Sequence, residues 1–180
     1  MRRILILCLF SIWVLGLNAQ KDDFKHPWEM KYLENDIQFI SKKKAPIPFS
    51  MTGEPEATIT VGASKVDNST KNDLSKIVKE EIEGIRNEVS LAEYLEDDYK
   101  PNNDIVTYYD KVKDVKIAVI KYRVNGLKGG QKILPRSTRQ ILFLHNNKLW
   151  ISSLIVLYGE DQENIRSDQM SFIKSIIDRK

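Results

Sequence analysis

Basic side chains are concentrated in one part of this 180-residue chain. Residues 115–159 contain eight lysine and arginine residues and no aspartate or glutamate, although the whole chain has 25 acidic residues. Residues 72–114 show the opposite balance, with six basic and twelve acidic residues. A region of one charge sign attracts partners of the other sign, so residues 115–159 predict contact with an acidic protein or an anionic surface. The alternative is that these cations complement the acidic helix of residues 72–90 within the fold.

Five of the seven candidate contact residues lie in or beside a predicted connection at residues 125–139. Its glycines would allow backbone amides to point at an anion. Five candidates are cations and two are aromatic rings of a predicted hairpin: Lys128, Lys132, Arg136, Arg139, Arg123, His145 and Trp150.

Sequence signatures of catalysis are missing from the chain. It has no Gly-x-Ser-x-Gly elbow, no His-Glu-x-x-His motif and no calcium-binding loop. The glycines at 129 and 130 are not followed by the Gly-Lys-Ser/Thr of a phosphate-binding loop. The two histidines, His26 and His145, are far apart in sequence, so no metal site, cofactor or enzymatic activity is predicted.

A second hypothesis, from another functional class, is a small-ligand carrier or a hydrolase. Its pocket would resemble that of the nuclear-transport-factor-like proteins and would lie between the N-terminal arm and the sheet. His145, Trp150 and Tyr108 would line it. A cross-strand pair of Phe143 with Trp150 is better explained as core under a helix.

The first residues have the layout of a secretory signal peptide. Met1-Arg2-Arg3 is basic, residues 4–17 are almost entirely apolar, and Ala19 offers a small residue for cleavage. The apolar run is shorter than the roughly 20 residues of a membrane span. We therefore expect an exported protein, periplasmic or extracellular, with no membrane span in its mature form. Cys8 is the only cysteine, so the mature chain would have no disulfide.

Nucleic acid is not predicted as a partner. The net charge of +3 includes Arg2 and Arg3, so removal of the signal would leave +1. No row of aromatic residues with interleaved cations marks a stacking platform.

The periodicity of apolar residues predicts one domain at residues 45–180, preceded by a signal peptide at 1–19 and a polar arm at 20–44. Strands are predicted at 57–63, 105–112, 115–125, 138–146 and 148–158, with helices at 72–90 and 167–178. A turn at Asn146-Asn147 would place 145 opposite 148, 144 opposite 149 and 143 opposite 150. Both faces of this hairpin are apolar, so each must be covered. The predicted fold is α+β, an α/β/α sandwich with a central antiparallel sheet flanked by helices.

This order of elements resembles the PsbP-like family. The resemblance extends over residues 47–178, from an extended start at Ile47-Pro48-Phe49 through the strand 57–61 and the long helix to the closing residues 172–177 (FIKSII). It implies an α/β/α sandwich that acts by binding protein partners, such as a photosystem or a nuclear-import GTPase, rather than by catalysis. No functional residue of the family carries over, and the sequence predicts neither the identity of the partner nor the oligomeric state.

Overall fold

A computed structural model describes residues 24–33, 36–45, 53–66, 73–90, 105–128, 131–157 and 163–178. For residues 88–90, 124–128 and 131–135 it describes the backbone. The predicted signal peptide at 1–19 and the extended start at Ile47-Pro48-Phe49 lie outside the described residues. Among the described helices, none has the length and apolar character needed to cross a membrane.

Seven strands form one antiparallel sheet in the order β1-β2-β3-β7-β6-β5-β4. The strands are β1 (Trp28–Tyr32), β2 (Asp36–Ser41), β3 (Ala57–Lys65), β4 (Val106–Val112), β5 (Val115–Lys128), β6 (Gln131–His145) and β7 (Lys148–Leu157). Two helices accompany them, α1 (Leu74–Ser90) and α2 (Glu163–Ile177). The α+β class and the antiparallel sheet are confirmed.

The hairpin of β6 and β7 has the predicted register. His145 is opposite Lys148, and Phe143 is opposite Trp150. Asn146 and Asn147 have φ angles of 51° and 58°. Asparagine tolerates this left-handed region better than most residues, and two such residues in succession make the tight turn that antiparallel strands require.

Strands β1 and β2 lie within the segment predicted as a polar arm. They pair with each other, and β2 pairs with β3, so the arm extends the sheet to its outer edge. Trp28, Ile37 and Phe39 are buried there. Because β2 alternates between half-buried and buried residues, its pattern is that of a strand with one face on the core.

Helix α1 agrees with its predicted position. Asp73 precedes it, and its Oδ1 accepts hydrogen bonds from the backbone N–H groups of Ser75 and Lys76, both at 3.1 Å. This is N-terminal capping, which satisfies amides that have no partner inside the helix. The buried apolar residues of α1 share one cluster with β5 and β6: Leu74, Val78, Ile85, Ala118, Ile120 and Leu142.

Helix α2 begins at Glu163, four residues before the predicted start at residue 167. Ser167 lies inside the helix, and its carbonyl oxygen accepts a hydrogen bond from the Ser171 hydroxyl at 2.9 Å. Ile165, in the additional first turn of the helix, is completely buried. The apolar residues of α2 belong to a second cluster that includes Ile165, Phe172, Ile173 and Ile176 with Ile117, Val119, Ile141, Phe143 and Leu154 of the sheet.

Candidate binding surface

Strands β5 and β6 continue past both of their neighbours. Pairing of β6 with β7 ends at Arg136 opposite Leu157, and pairing of β4 with β5 ends at Val106 opposite Lys121. The pairing of β5 with β6 continues to residues 128 and 131. We call residues 122–128 and 131–136 the basic ribbon. At about 3.4 Å per residue, its segment 131–135 extends roughly 17 Å beyond β7.

The predicted connection at 125–139 is therefore wrong, because most of it is strand. Its glycines and Pro135 resemble a loop in sequence. The strand register shifts across Pro135, between the pairs Val124–Arg136 and Gly126–Ile133. Proline has no N–H for the strand ladder, and an irregularity of this kind is where a strand tolerates it.

Four of the predicted contact residues share the basic ribbon. Arg123 is exposed, opposite Ser137, and Arg136 is half-buried where the ribbon leaves the sheet. Lys128 and Lys132 lie at the far end, in the last two residue pairs of the β5–β6 ladder. The ribbon thus carries four cations of the carboxylate-free stretch on a narrow two-stranded element.

Arg139 lies elsewhere, beneath α2. It is 8% exposed, and its Nη1 donates a hydrogen bond to Oε1 of Gln169 at 2.9 Å. The Gln169 amide nitrogen in turn donates to the Ser152 carbonyl oxygen at 3.1 Å and to the Ser152 hydroxyl at 3.2 Å. This buried network joins β6, β7 and α2, so Arg139 is placed as an internal residue rather than with the exposed cations.

His145 ends β6, roughly 30 Å along the strand from Arg136, and Trp150 lies on β7 opposite Phe143. Trp150 is 7% exposed and stacks on Phe143, with ring centroids 6.2 Å apart and planes 7° from parallel. Its indole N–H donates to the His145 carbonyl oxygen at 3.3 Å. Trp150 is therefore part of the core, and the structure does not bring this pair to the basic ribbon.

The space between the N-terminal segment, the sheet and α2 is filled by aromatic rings. Phe24 and Phe39 each contact Phe172, with ring centroids 4.2 and 3.9 Å apart. Tyr108 lies on β4 and Trp150 on β7, separated by two intervening strands. The three residues expected to line a small-ligand pocket there are thus not brought together.

A buried polar cluster, absent from the predicted sites, lies beside these rings. The Nε2 atom of His26 is 2.7 Å from the Ser41 hydroxyl and 3.4 Å from Oε1 of Glu56. Burial lowers the pKa of His26 below its ordinary value of 6.5, and the Glu56 carboxylate opposes that effect more weakly. A serine nucleophile would need a carboxylate on the other ring nitrogen. Within the described residues Nδ1 has no hydrogen-bond partner, and Ser41 is buried, so the cluster lacks that geometry.

Asp168 of α2 is the second buried polar centre that the sequence did not reveal. Its carboxylate accepts hydrogen bonds from the backbone N–H groups of Lys25 and His26, both at 3.0 Å. It also accepts one from the indole N–H of Trp28 at 2.9 Å. The only signal in the sequence was the position of Asp168 and Gln169 between the apolar residues Ile165 and Phe172 of the helix.

A shallow groove of about 280 Å³ separates α1 from β4. Val78, Ile82, Arg86, Thr107 and Tyr109 are among its lining residues, and none of the predicted contact residues borders it. In the part of the chain that the structure describes, no three His, Cys, Asp or Glu side chains gather closely enough to hold a metal ion.

The chain is distantly similar to several solved structures. No protein-family model matches the chain, and no curated protein matches it. Among solved structures, a Bacteroides thetaiotaomicron protein has a TM-score of 0.44 and 13% identity, covering 77% of this chain and 38% of its own length. A Pseudomonas aeruginosa protein of unknown function has a TM-score of 0.43 and 8% identity, covering 84% of this chain and 95% of its own length.

The Saccharomyces cerevisiae Ran-binding protein Mog1p is a third such structure. Its TM-score is 0.42 with 11% identity, covering 77% of this chain and 69% of its own length. This chain thus spans less than half the length of the Bacteroides protein. At TM-scores this low, none of the three assigns a fold or a function, and the PsbP-like resemblance stays a prediction.

Proposed function

We propose that this chain is an exported, non-catalytic binding module that uses the basic ribbon against an acidic protein or an anionic surface. The observation that carries the proposal is the extension of β5 and β6 beyond their neighbours, at Arg136–Leu157 on one side and Val106–Lys121 on the other. The described strands leave this end of the hairpin paired only with itself. This end of the hairpin carries Arg123, Lys128, Lys132 and Arg136.

We infer that the two helices and the sheet form an α/β/α sandwich that holds the base of the ribbon. The α1 cluster contains Ala118 and Ile120 of β5, whereas the α2 cluster contains Ile117 and Val119 of the same strand. Successive side chains of a strand point to opposite faces. A strand packed on both faces is a rigid support, as the PsbP-like resemblance implies.

The carrier or hydrolase hypothesis has less support. The interior that it needs is occupied by the rings of Phe24, Phe39 and Phe172. Export is proposed from residues 1–19 alone. It is consistent with a folded domain that has no cysteine outside that segment.

The ribbon is tested with the double variant Lys128→Ser/Lys132→Ser. Two anionic probes represent the two partner classes: poly-L-glutamate for an acidic protein and phosphatidylglycerol vesicles for an anionic surface. We expect the unmodified protein to bind at least one probe at low salt. The variant should bind it several-fold more weakly, and its affinity should fall less steeply with added salt, because fewer ionic contacts are being screened.

The matched control is Lys31→Ser/Lys42→Ser, which removes the same charge from two exposed lysines near the opposite edge of the sheet. Equal losses in the two double variants would show that net charge, and not the ribbon, governs binding. Absence of binding to both probes at low salt would remove the proposal.

A further inference from the structure

The exposed large apolar side chains of the described residues are confined to the two edges of the sheet. Tyr32 and Leu33 lie at the end of β1, at one edge, and are 43% and 45% exposed. The other edge, β4, carries Val106, Tyr108 and Tyr109, which are 52%, 38% and 43% exposed. Three such side chains on one strand make β4 a candidate site for the binding of another molecule.

The backbone of β4 is suited to pairing with a further strand. Its seven residues pair with β5 in one unbroken register, from Val106 opposite Lys121 to Val112 opposite Val115. No other described strand pairs with β4. Edge strands are often protected by proline or a bulge, and β4 has neither. Its outward N–H and C=O groups therefore form a regular template over residues 106–110, after which the Lys111 N–H donates to Oδ1 of Asp110 at 2.8 Å.

Each face of this edge carries a tyrosine ring with a lysine ammonium close to it. Successive residues of a strand point to opposite faces, so Tyr108 and Tyr109 lie on different sides. The Lys121 ammonium is 5.5 Å from the centroid of the Tyr108 ring, and the Lys116 ammonium is 4.3 Å from that of Tyr109. Within the described residues neither lysine is in an ion pair.

We propose that β4 is a docking strand, with which an extended acidic peptide segment of a partner pairs as an eighth strand of the sheet. Main-chain hydrogen bonds to β4 hold the segment, and its alternate side chains lie over Tyr108 on one face and Tyr109 on the other. Carboxylates of the segment pair with Lys116 and Lys121. The inference rests on the proposed function in one respect, that the partner is acidic.

The charge near the β4 edge favours an acidic peptide over a second copy of the chain as the added strand. A copy pairing through its own β4 would bring Lys111 of that strand, with Lys116 and Lys121 of its β5, near the same three cations, against the single carboxylate of Asp110 on β4. Like charges across neighbouring strands are unfavourable, whereas carboxylates at these positions are attracted. An acidic segment therefore fits the edge better than β4 itself does.

The probe is a short fluorescent peptide with a Val-Glu-Glu-Val repeat, which places carboxylates on both faces of an added strand. Its binding to the purified protein is measured by fluorescence anisotropy. Its comparison is a peptide of identical sequence and charge, in which the central backbone amides are N-methylated. N-methylation removes the N–H groups needed for strand pairing and leaves the charge unchanged. We expect the methylated peptide to bind at least about tenfold more weakly.

The variant Tyr108→Ser/Tyr109→Ser should lose about the same affinity for the unmethylated peptide, whereas Tyr32→Ser at the opposite edge should lose none. In hydrogen exchange, amides of β4 should become protected when the unmethylated peptide is bound. Equal affinity for the two peptides would overturn the docking strand. It would leave the basic ribbon as the binding element, so the proposed function would survive.

The converse outcome is also distinguishable. If Lys128→Ser/Lys132→Ser leaves poly-L-glutamate binding unchanged while the two peptides still differ, the ribbon proposal fails and the docking strand stands. Sedimentation of the protein without any peptide measures its oligomeric state. A dimer that dissociates in Tyr108→Ser/Tyr109→Ser would replace the peptide with a second copy as the occupant and so overturn the proposal.

Discussion

The indole N–H of Trp28 donates a 2.9 Å hydrogen bond to the carboxylate of Asp168, 140 residues further along the chain. Asp168 is 1% exposed, and the same carboxylate holds the backbone N–H groups of Lys25 and His26. One buried side chain of the last helix thus fixes the entry of the chain into its first strand. A buried carboxylate is tolerated only when hydrogen bonds replace its hydration, as they do here.

Replacement of Asp168 by alanine tests this connection. Three N–H groups would lose their acceptor, two of them buried, so we expect the free energy of unfolding to fall by about 3 kcal/mol. Denaturant unfolding measures it. The control is Asp178→Ala, which removes the exposed ion pair with Lys113 and should cost less than about 1 kcal/mol. Similar losses in both variants would contradict the role given to Asp168.

The buried His26 predicts acid sensitivity. Its pKa in the folded protein is below 6.5 because burial disfavours the charged ring, so the unfolded chain takes up a proton first as the pH falls. The stability that His26 contributes is complete above pH 6.5 and is lost as the pH falls towards its folded pKa. We expect the free energy of unfolding to decrease between pH 7.5 and about 5.5.

His26→Gln should flatten this dependence, because glutamine can keep a hydrogen bond to Ser41 without titrating. The matched control is His145→Gln, which removes the other histidine and leaves the contacts of His26 intact. Unfolding curves at a series of pH values give the slope for each variant. An unchanged slope in His26→Gln would assign the acid sensitivity to another group.

Substitution of Arg139 tests whether this cation stabilises the interior or contributes to the binding surface. Because Arg139 is buried and hydrogen-bonded to Gln169, Arg139→Ser should lower the free energy of unfolding by about 2 kcal/mol. Under native conditions it should leave binding to poly-L-glutamate largely unchanged. Lys128→Ser, on the basic ribbon, should show the reverse pattern. Loss of binding without loss of stability in Arg139→Ser would return that residue to the contact surface.

Gly84 is an internal glycine of α1 with open space around it. A Cβ atom there would have nothing within 4 Å. Gly84→Ala should raise the free energy of unfolding by up to about 1 kcal/mol, because alanine loses less backbone entropy on entering a helix. Gly62→Ala is the contrasting change, since its Cβ would collide with the Asp36 carboxylate. Thermal or denaturant unfolding should show stabilisation in the first variant only.

The elements that were predicted well are those determined by neighbouring residues. The apolar stripe of α1 repeats every three or four residues, so the signal that predicts this helix lies within the helix itself. The register of β6 with β7 follows from Asn146 and Asn147 alone, because a two-residue turn leaves one way to pair the strands. Such features need no knowledge of the remaining chain.

The basic ribbon was misread for a local reason. Gly126 and Pro135 are typical of loops, and in isolation they outweigh the apolar residues between them. Pairing with the opposite strand decides otherwise, because a register shift accommodates the proline while the ladder continues on both sides. A strand is stabilised by its partner, and the partner is not visible in the strand's own sequence.

The sequence by itself determined the charge separation, the long helix, the β6–β7 hairpin and the need to cover two apolar faces. Tertiary structure alone decided that Arg139 is buried beneath Gln169 while Arg123 is exposed on the basic ribbon. It also decided that the Asp168 carboxylate accepts a hydrogen bond from the Trp28 indole, and that β4 and its tyrosines lie at the edge of the sheet. The physical reason is range: periodicity and turns arise from residues a few positions apart, whereas burial and hydrogen-bond partners depend on segments that meet only when the chain has folded.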